Sequence, residues 1–253
     1  MDPLQTALAK KGPEEIAKSA ESFLHVLLGE PLKEVGGILK DRISSRRHAN
    51  LISIVRKAQE RLADAGISPK AVPLKIIHPL LEYASLEEES GMQERWAALL
   101  ASAADSMETG QVLPAFPEIL KQLSKREALF LNAVYDVVFR DIRRRFPTTS
   151  TPARWTLQID LGNWQALYHI YEQAGLSEAP AIDLTTAGEP DPKGDRDHTA
   201  FMVASDNLLR AQLLTNSPAV EGKSLLTLDD GSYFMTALGF QFVAACHPDY
   251  DKK

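Results

Sequence analysis

A metal site or an acid–base pair in this chain would have to draw on Glu87, Glu88, Glu89 and Glu94, and on six dispersed histidines (His25, His48, His78, His169, His198, His247). Helical metal sites want ligands three or four residues apart, usually with histidine among them. Near the acids there is only His78, and no histidines are spaced as HxxxH or HExxH. The acids read instead as the first turn of a helix capped by Ser85, where negative charge complements the dipole. No serine sits in a GxSxG elbow, and no loop matches GxxxxGK[ST] or GxGxxG. Asp195–Arg196–Asp197–His198 reads as a helix N-terminus. Cys246, the single cysteine, excludes an intramolecular disulfide and, set in Phe242–Cys246, reads as a small buried hydrophobe. These residues predict no catalytic, cofactor or metal site and a protein that is not an enzyme.

Two features point to binding. Arg140, Arg143, Arg144 and Arg145 form the one dense basic cluster, with Arg140 and Arg144 four apart on one helical face. A solvated helix end, with cations at the negative pole of the dipole, explains the cluster; a site for an anion or an acidic partner is the alternative. Gly36–Gly37 interrupts an apolar helical pattern at a cost of about 1 kcal/mol per glycine relative to alanine. Close approach of another helix, within the fold or across a dimer, would compensate.

The elements that carry these residues follow from periodicity. Gly12–Pro13–Glu14–Glu15 opens a helix with the stripe Ile16, Ala20, Phe23, Leu24, Leu27, Leu28, stopped at Gly29. Leu32, Val35, Leu39 and Ile43 repeat at three and four. So do Ile52, Val55, Ala58, Leu62 and Ala65, closed by Gly66. Leu74, Ile77, Leu80, Leu81 and Ala84 form a stripe that Pro79 should kink or split. The next helix buries Met92, Trp96, Leu99, Leu100 and Ala103, and a short one holds Phe116, Ile119, Leu120 and Leu123. Ser124-x-x-Glu127 is a capping box for a central helix over 125–145. Trp155, Leu157, Ile159 and Leu161 alternate as a strand would. Trp164, Leu167, Tyr168 and Tyr171 lie on a helix ending at Gly175. A long loop over 177–197 and a helix over 198–213 follow. Asp229–Asp230–Gly231 between Leu225–Leu228 and Tyr233–Met235 is a hairpin signal, and Thr236 caps a last helix. The prediction is a mainly α protein: a helical N-terminal region over 1–123, then a winged-helix-like domain over 124–253 with a small β-hairpin.

Of the 253 residues 44% are hydrophobic and 25% charged, as in ordinary globular proteins, so disorder is not expected. The net charge of −6 speaks against a general electrostatic binder of nucleic acid. Charge is uneven: residues 1–70 hold 12 Lys and Arg against nine acids, whereas 71–124 hold three against eight. The basic part is expected to dock on the acidic remainder, on a second copy or on an anionic surface. No signal peptide and no run of about 20 apolar residues is present, which makes the cytoplasm the expected compartment.

Residues 73–103, PLKIIHPLLEYASLEEESGMQERWAALLASA, resemble the signature of the Abi-alpha (abortive infection alpha) family. PLKEVGGILKDRI, PAFPEILKQLS, DNLLRAQLL and MTALGFQFVAAC extend the resemblance from about residue 14 to 247. It implies a bacterial or phage-related protein of abortive infection, in which a cell blocks phage spread at its own expense. It brings no catalytic residues with it. The expected mode is contact with a protein partner or with a second copy. The alternatives are a DNA-binding winged-helix regulator, which the acids around its candidate recognition helix disfavour, and a membrane-perturbing effector using residues 14–43. No small-molecule substrate is evident.

Overall fold

The computed structural model describes residues 13–29, 45–105, 112–145, 159–177, 192–217 and 232–247. Gly36, Gly37, the 32–43 stripe, Leu225–Leu228 and the Asp229–Gly231 turn lie outside them. The protein is mainly helical and forms two compact units, Met1–Gln122 with Ala245–Lys253, and Leu123–Ala244.

In the first unit, α1 (Pro13–Leu28) starts at the predicted Pro-Glu-Glu and stops at Gly29, whose φ is +60°. Its Ala20, Phe23, Leu24, Leu27 and Leu28 are buried, against α2 (Ser45–Asp64) and α3 (Leu74–Ala84). The apolar stripe of α1, part of the 14–43 stretch, is thus taken up by the core of its own unit. No helix among the described residues is long and apolar enough to cross a membrane. Helix α2 buries Leu51, Ile54, Val55, Ala58 and Leu62. It ends as the sequence predicts: Gly66 at φ +68° donates to Ala63 O, and Ile67 donates to Leu62 O at 2.8 Å, which satisfies two terminal carbonyls.

Pro79 does not split α3, which runs unbroken from Leu74 to Ala84. The missing N–H deprives only the carbonyl of Lys75, an exposed residue that water can serve. The acids also lie elsewhere than expected. Helix α4 (Ser90–Ala104) begins after them, with Glu89 as its cap accepting from Met92 N at 2.7 Å, while Ser85 closes α3. A carboxylate reaches the free N–H groups of the first turn as a hydroxyl would, so the cap moved four residues along. All five predicted core residues of α4 are buried, together with Ala97, Ala98, Ala101 and Ala104. The short α5 (Ala115–Leu120) packs against α3.

The second unit is built around α6 (Lys125–Arg145). The capping box is formed: Ser124 N donates to Glu127 Oε2 at 2.6 Å and Glu127 N to Ser124 Oγ at 3.3 Å. Helices α7 (Trp164–Gln173) and α8 (Pro192–Arg210) pack on α6. Between them Phe130, Tyr168, Tyr171 and Phe201 meet largely edge to face, with Phe130–Tyr171 centroids 5.3 Å apart, the geometry that ring quadrupoles favour. Helix α8 begins at Pro192, so Asp197 is not the expected cap. It lies inside the helix, buried, and its carboxylate accepts from Tyr168 Oη at 3.0 Å and from Ser177 Oγ.

The strand that pairs with β2 (Ser232–Met235) is β1 (Leu214–Ser217), antiparallel, with Leu214 opposite Met235 and Ser217 opposite Ser232. The periodicity predicts a helix over 198–213, but α8 ends at Arg210 and the chain turns at Gln212, φ +58°. Ile159 and Leu161 are buried, and Leu161 N donates to Tyr233 O at 2.9 Å while Tyr233 N donates to Gly162 O at 2.9 Å. Thr236 caps α9 (Ala237–Cys246) as predicted, accepting from Gly239 N at 2.9 Å. The residues grouped with the first unit include Ala245 and Cys246. There Ser102 Oγ donates to Ala245 O at 3.0 Å, and burial pushes the Cys246 thiol well up, with the nearby Arg95 charge pulling partly back.

Candidate functional site

Within the first unit the basic α2 clamps the acidic stretch that follows α3. Arg46 pairs with Glu88 at 3.0 Å, and Arg47 donates twice to Ser85 Oγ at 2.9 and 3.1 Å. Asn50 reaches Ser85 O, and Ser53 donates to Gln93 Oε1 at 3.3 Å. Lys57 and Arg61 then share Glu94 at 2.8 and 3.1 Å. Positions 46, 50, 53, 57 and 61 form one edge of a helix, so part of the basic N-terminal charge docks on the acids of the same unit.

Burial raises the pKa of Glu94, but hydrogen bonds from Lys57 and Arg61 outweigh it and hold the carboxyl below its ordinary value. A lowered folded-state pKa contributes stability above the unfolded pKa, and that contribution disappears as pH falls through the folded value. Glu94→Gln is therefore expected to be less stable than wild type at neutral pH, and the difference should close in acid. Thermal midpoints measured between pH 7 and pH 3 check this. Because the carboxylate is 38% exposed, solvent keeps the neutral-pH loss to about 1 kcal/mol.

Arg95, one residue before Trp96, was not singled out from sequence. It is 6% exposed, and burial lowers its pKa although Cys246 and Glu89 pull the other way. Its neighbours in α4 are buried on every side, so a one-stripe reading leaves no place for a buried arginine.

In the second unit the structure brings together three of the four arginines singled out. Arg140, Arg144 and Arg145 line an open hollow of about 420 Å³ with Val137, Asp141, Ile159 and Asp160. Arg143 points elsewhere, its guanidinium 5.1 Å over the ring of Phe139. Asp141 pairs with Arg144, and with Arg145 Nε at 2.6 Å. Arg140 Nε donates to its own helix at Asp136 O, 3.1 Å. The opposite wall was missed: Asp160 accepts from Gly162 N at 2.7 Å and from Ser232 Oγ at 3.0 Å. Only the buried alternation of Ile159 and Leu161 hinted at chain passing there. The hollow has cationic donors and carboxylate acceptors side by side. Among the described residues, no three or more His, Cys, Asp or Glu are grouped to hold a metal ion.

Helix α8 presents Thr199, Val203, Asp206 and Arg210 outward, with Val203 54% exposed. Its polar side chains are partly engaged: Arg210 donates to Asn207 Oδ1, and Asn207 donates to the buried Glu127.

This is thus a mainly helical protein of two units, with a small antiparallel hairpin and a mixed-charge hollow at the end of its central helix. A family model described as abortive infection alpha matches residues 46–246, and the chain belongs to that family. Membership suggests a role in abortive infection. No curated protein and no solved structure matches the chain.

Proposed function

We propose that this protein serves abortive infection without catalysing a reaction, through contact with a protein, and that Leu123–Ala244 is a winged-helix-like domain adapted to that use. The element order α6, α7, α8, β1, β2 supports the domain reading. So do the hydrogen bonds that Leu161 and Gly162 make with Tyr233, which add a short third edge to the hairpin.

The observation that carries the binding mode is the outward face of α8. A helix that reads a major groove projects Arg, Lys, Asn or Gln toward base edges. Among the described side chains that face offers Thr199, Val203 and Asp206, and the cation there, Arg210, is hydrogen-bonded to Asn207. An exposed valine beside an aspartate favours a protein surface and opposes a polyanion. Titration against labelled duplex DNA is expected to show no binding tighter than about 10⁻⁶ M at physiological salt. Nanomolar, salt-sensitive binding weakened by Arg210→Ala would make the protein a DNA-binding regulator instead.

A further inference from the structure

We propose that the hollow between the end of α6 and Ile159–Asp160 docks an acidic peptide segment of a partner protein, with Arg140 and Arg144 taking its carboxylates. This rests on the reading that the protein works by protein contact, and it names the place and chemistry of that contact.

Size comes first. A hollow of about 420 Å³ lies in the range of about 300–1,000 Å³ typical of ligand sites, enough for a few side chains of an extended segment. Charge comes second. Among the described lining residues three arginines face two aspartates, a surplus of one positive charge. The α6 dipole ends here with about half a negative charge, which leaves the balance cationic. Arg144 and Arg145 share the single carboxylate of Asp141, and Arg140 has no acidic partner among the described residues. A planar guanidinium with one N–H engaged keeps the rest of its donor fork for a carboxylate.

The aspartates decide between a peptide and a nucleic acid. A carboxylate offers about four acceptor positions, and Asp160 has two donors, Gly162 N and Ser232 Oγ. Acceptors beside cations suit a ligand that carries both carboxylates and N–H donors, as an Asp- or Glu-containing peptide does. A phosphodiester backbone has acceptors only, and its closely spaced charges would face Asp141 and Asp160. Asp141 holds the place that the ligand's carboxylate takes: docking exchanges the Arg144–Asp141 pair for an Arg144–ligand pair.

The test is fluorescence anisotropy of the full chain with a fluorescein-labelled hexaglutamate peptide at low salt, beside its hexaglutamine counterpart. Hexaglutamate is expected to bind and hexaglutamine not. Arg140→Ala/Arg144→Ala should weaken binding at least about tenfold, since each lost charge-assisted hydrogen bond is worth more than that factor. Asp141→Asn removes the internal competitor and should tighten binding, a gain that a merely structural role for these residues would not produce. Arg46→Ala, which removes an exposed cation from the first unit, should change nothing. Unchanged affinity in the double arginine variant, weaker binding in Asp141→Asn, or displacement of the peptide by a single-stranded oligonucleotide of equal charge would each overturn the proposal. If the groove fails in these ways while duplex DNA still does not bind, protein contact stands and only its location is lost.

Discussion

Trp96→Ala is expected to destabilise the protein by about 3–5 kcal/mol, as deletion of a large buried ring does. The indole is 1% exposed in α4, a helix whose neighbours on nearly every face are buried too. Alanine would leave a cavity that the packed α2 and α3 cannot close without moving the ion pairs along α2. Trp96 Nε1 has no hydrogen-bond partner among the described residues, and a buried N–H left unpaired costs about 1–3 kcal/mol. Trp96→Phe removes that donor and keeps most of the volume, so it should cost clearly less than alanine. Denaturant unfolding of both variants checks this. A loss below about 1 kcal/mol for Trp96→Ala would place the ring outside the core.

The second large effect is expected at Gly239, in the first turn of α9. A Cβ built there would lie 3.0 Å from Leu213 C and 3.1 Å from Leu213 Cα, with the carbonyl oxygen closer still. The obstacle is backbone at the start of β1, so no rotamer change relieves it. Gly239→Ala should cost at least about 1–3 kcal/mol, the usual range for overpacking. It should also loosen the hairpin, because Thr236 N donates to that same Leu213 O at 3.1 Å. Reduced thermal stability with faster amide exchange across Leu214–Ser217 and Ser232–Met235 is the expected signature. A stability equal to wild type would show that α9 does not approach Leu213 this closely.

How much of this was legible depended on whether a local rule had a competitor. Ser124 and Glu127, Gly66 and Gly175, and the Pro-Glu-Glu start of α1 are short-range devices, and all act as their spacing predicts. Where two local solutions compete, sequence alone chose wrongly. Ser85 and Glu89 can both cap, and the hydroxyl of Ser85 is occupied by Arg47 and Glu82 O, contacts set by packing. Asp229–Asp230–Gly231 drew attention to Leu225–Leu228, which lies outside the described residues; among those described, the strand opposite β2 is Leu214–Ser217. Its entry depends on Gln212 adopting a left-handed conformation that usually marks glycine. Gly239 looked ordinary because its reason is a carbonyl 26 positions earlier in the chain.

The candidate hollow was half readable. The arginines stand out by density and by the spacing of 140 and 144, but the sharing of Asp141 and the approach of Asp160 are tertiary. Neither the outward position of Val203 nor the internal use of Asn207 follows from the periodicity of α8 alone, since both depend on where α6 lies.

The most direct test of the account is infection of bacteria that carry this protein, with phage yield per infected cell and culture survival measured at low and high multiplicity. Yield should fall at both multiplicities for a phage it acts on. The culture should survive at low multiplicity and collapse at high multiplicity, because infected cells are lost with their phage. Infected cells that survive at high multiplicity while yield falls would contradict a role in abortive infection.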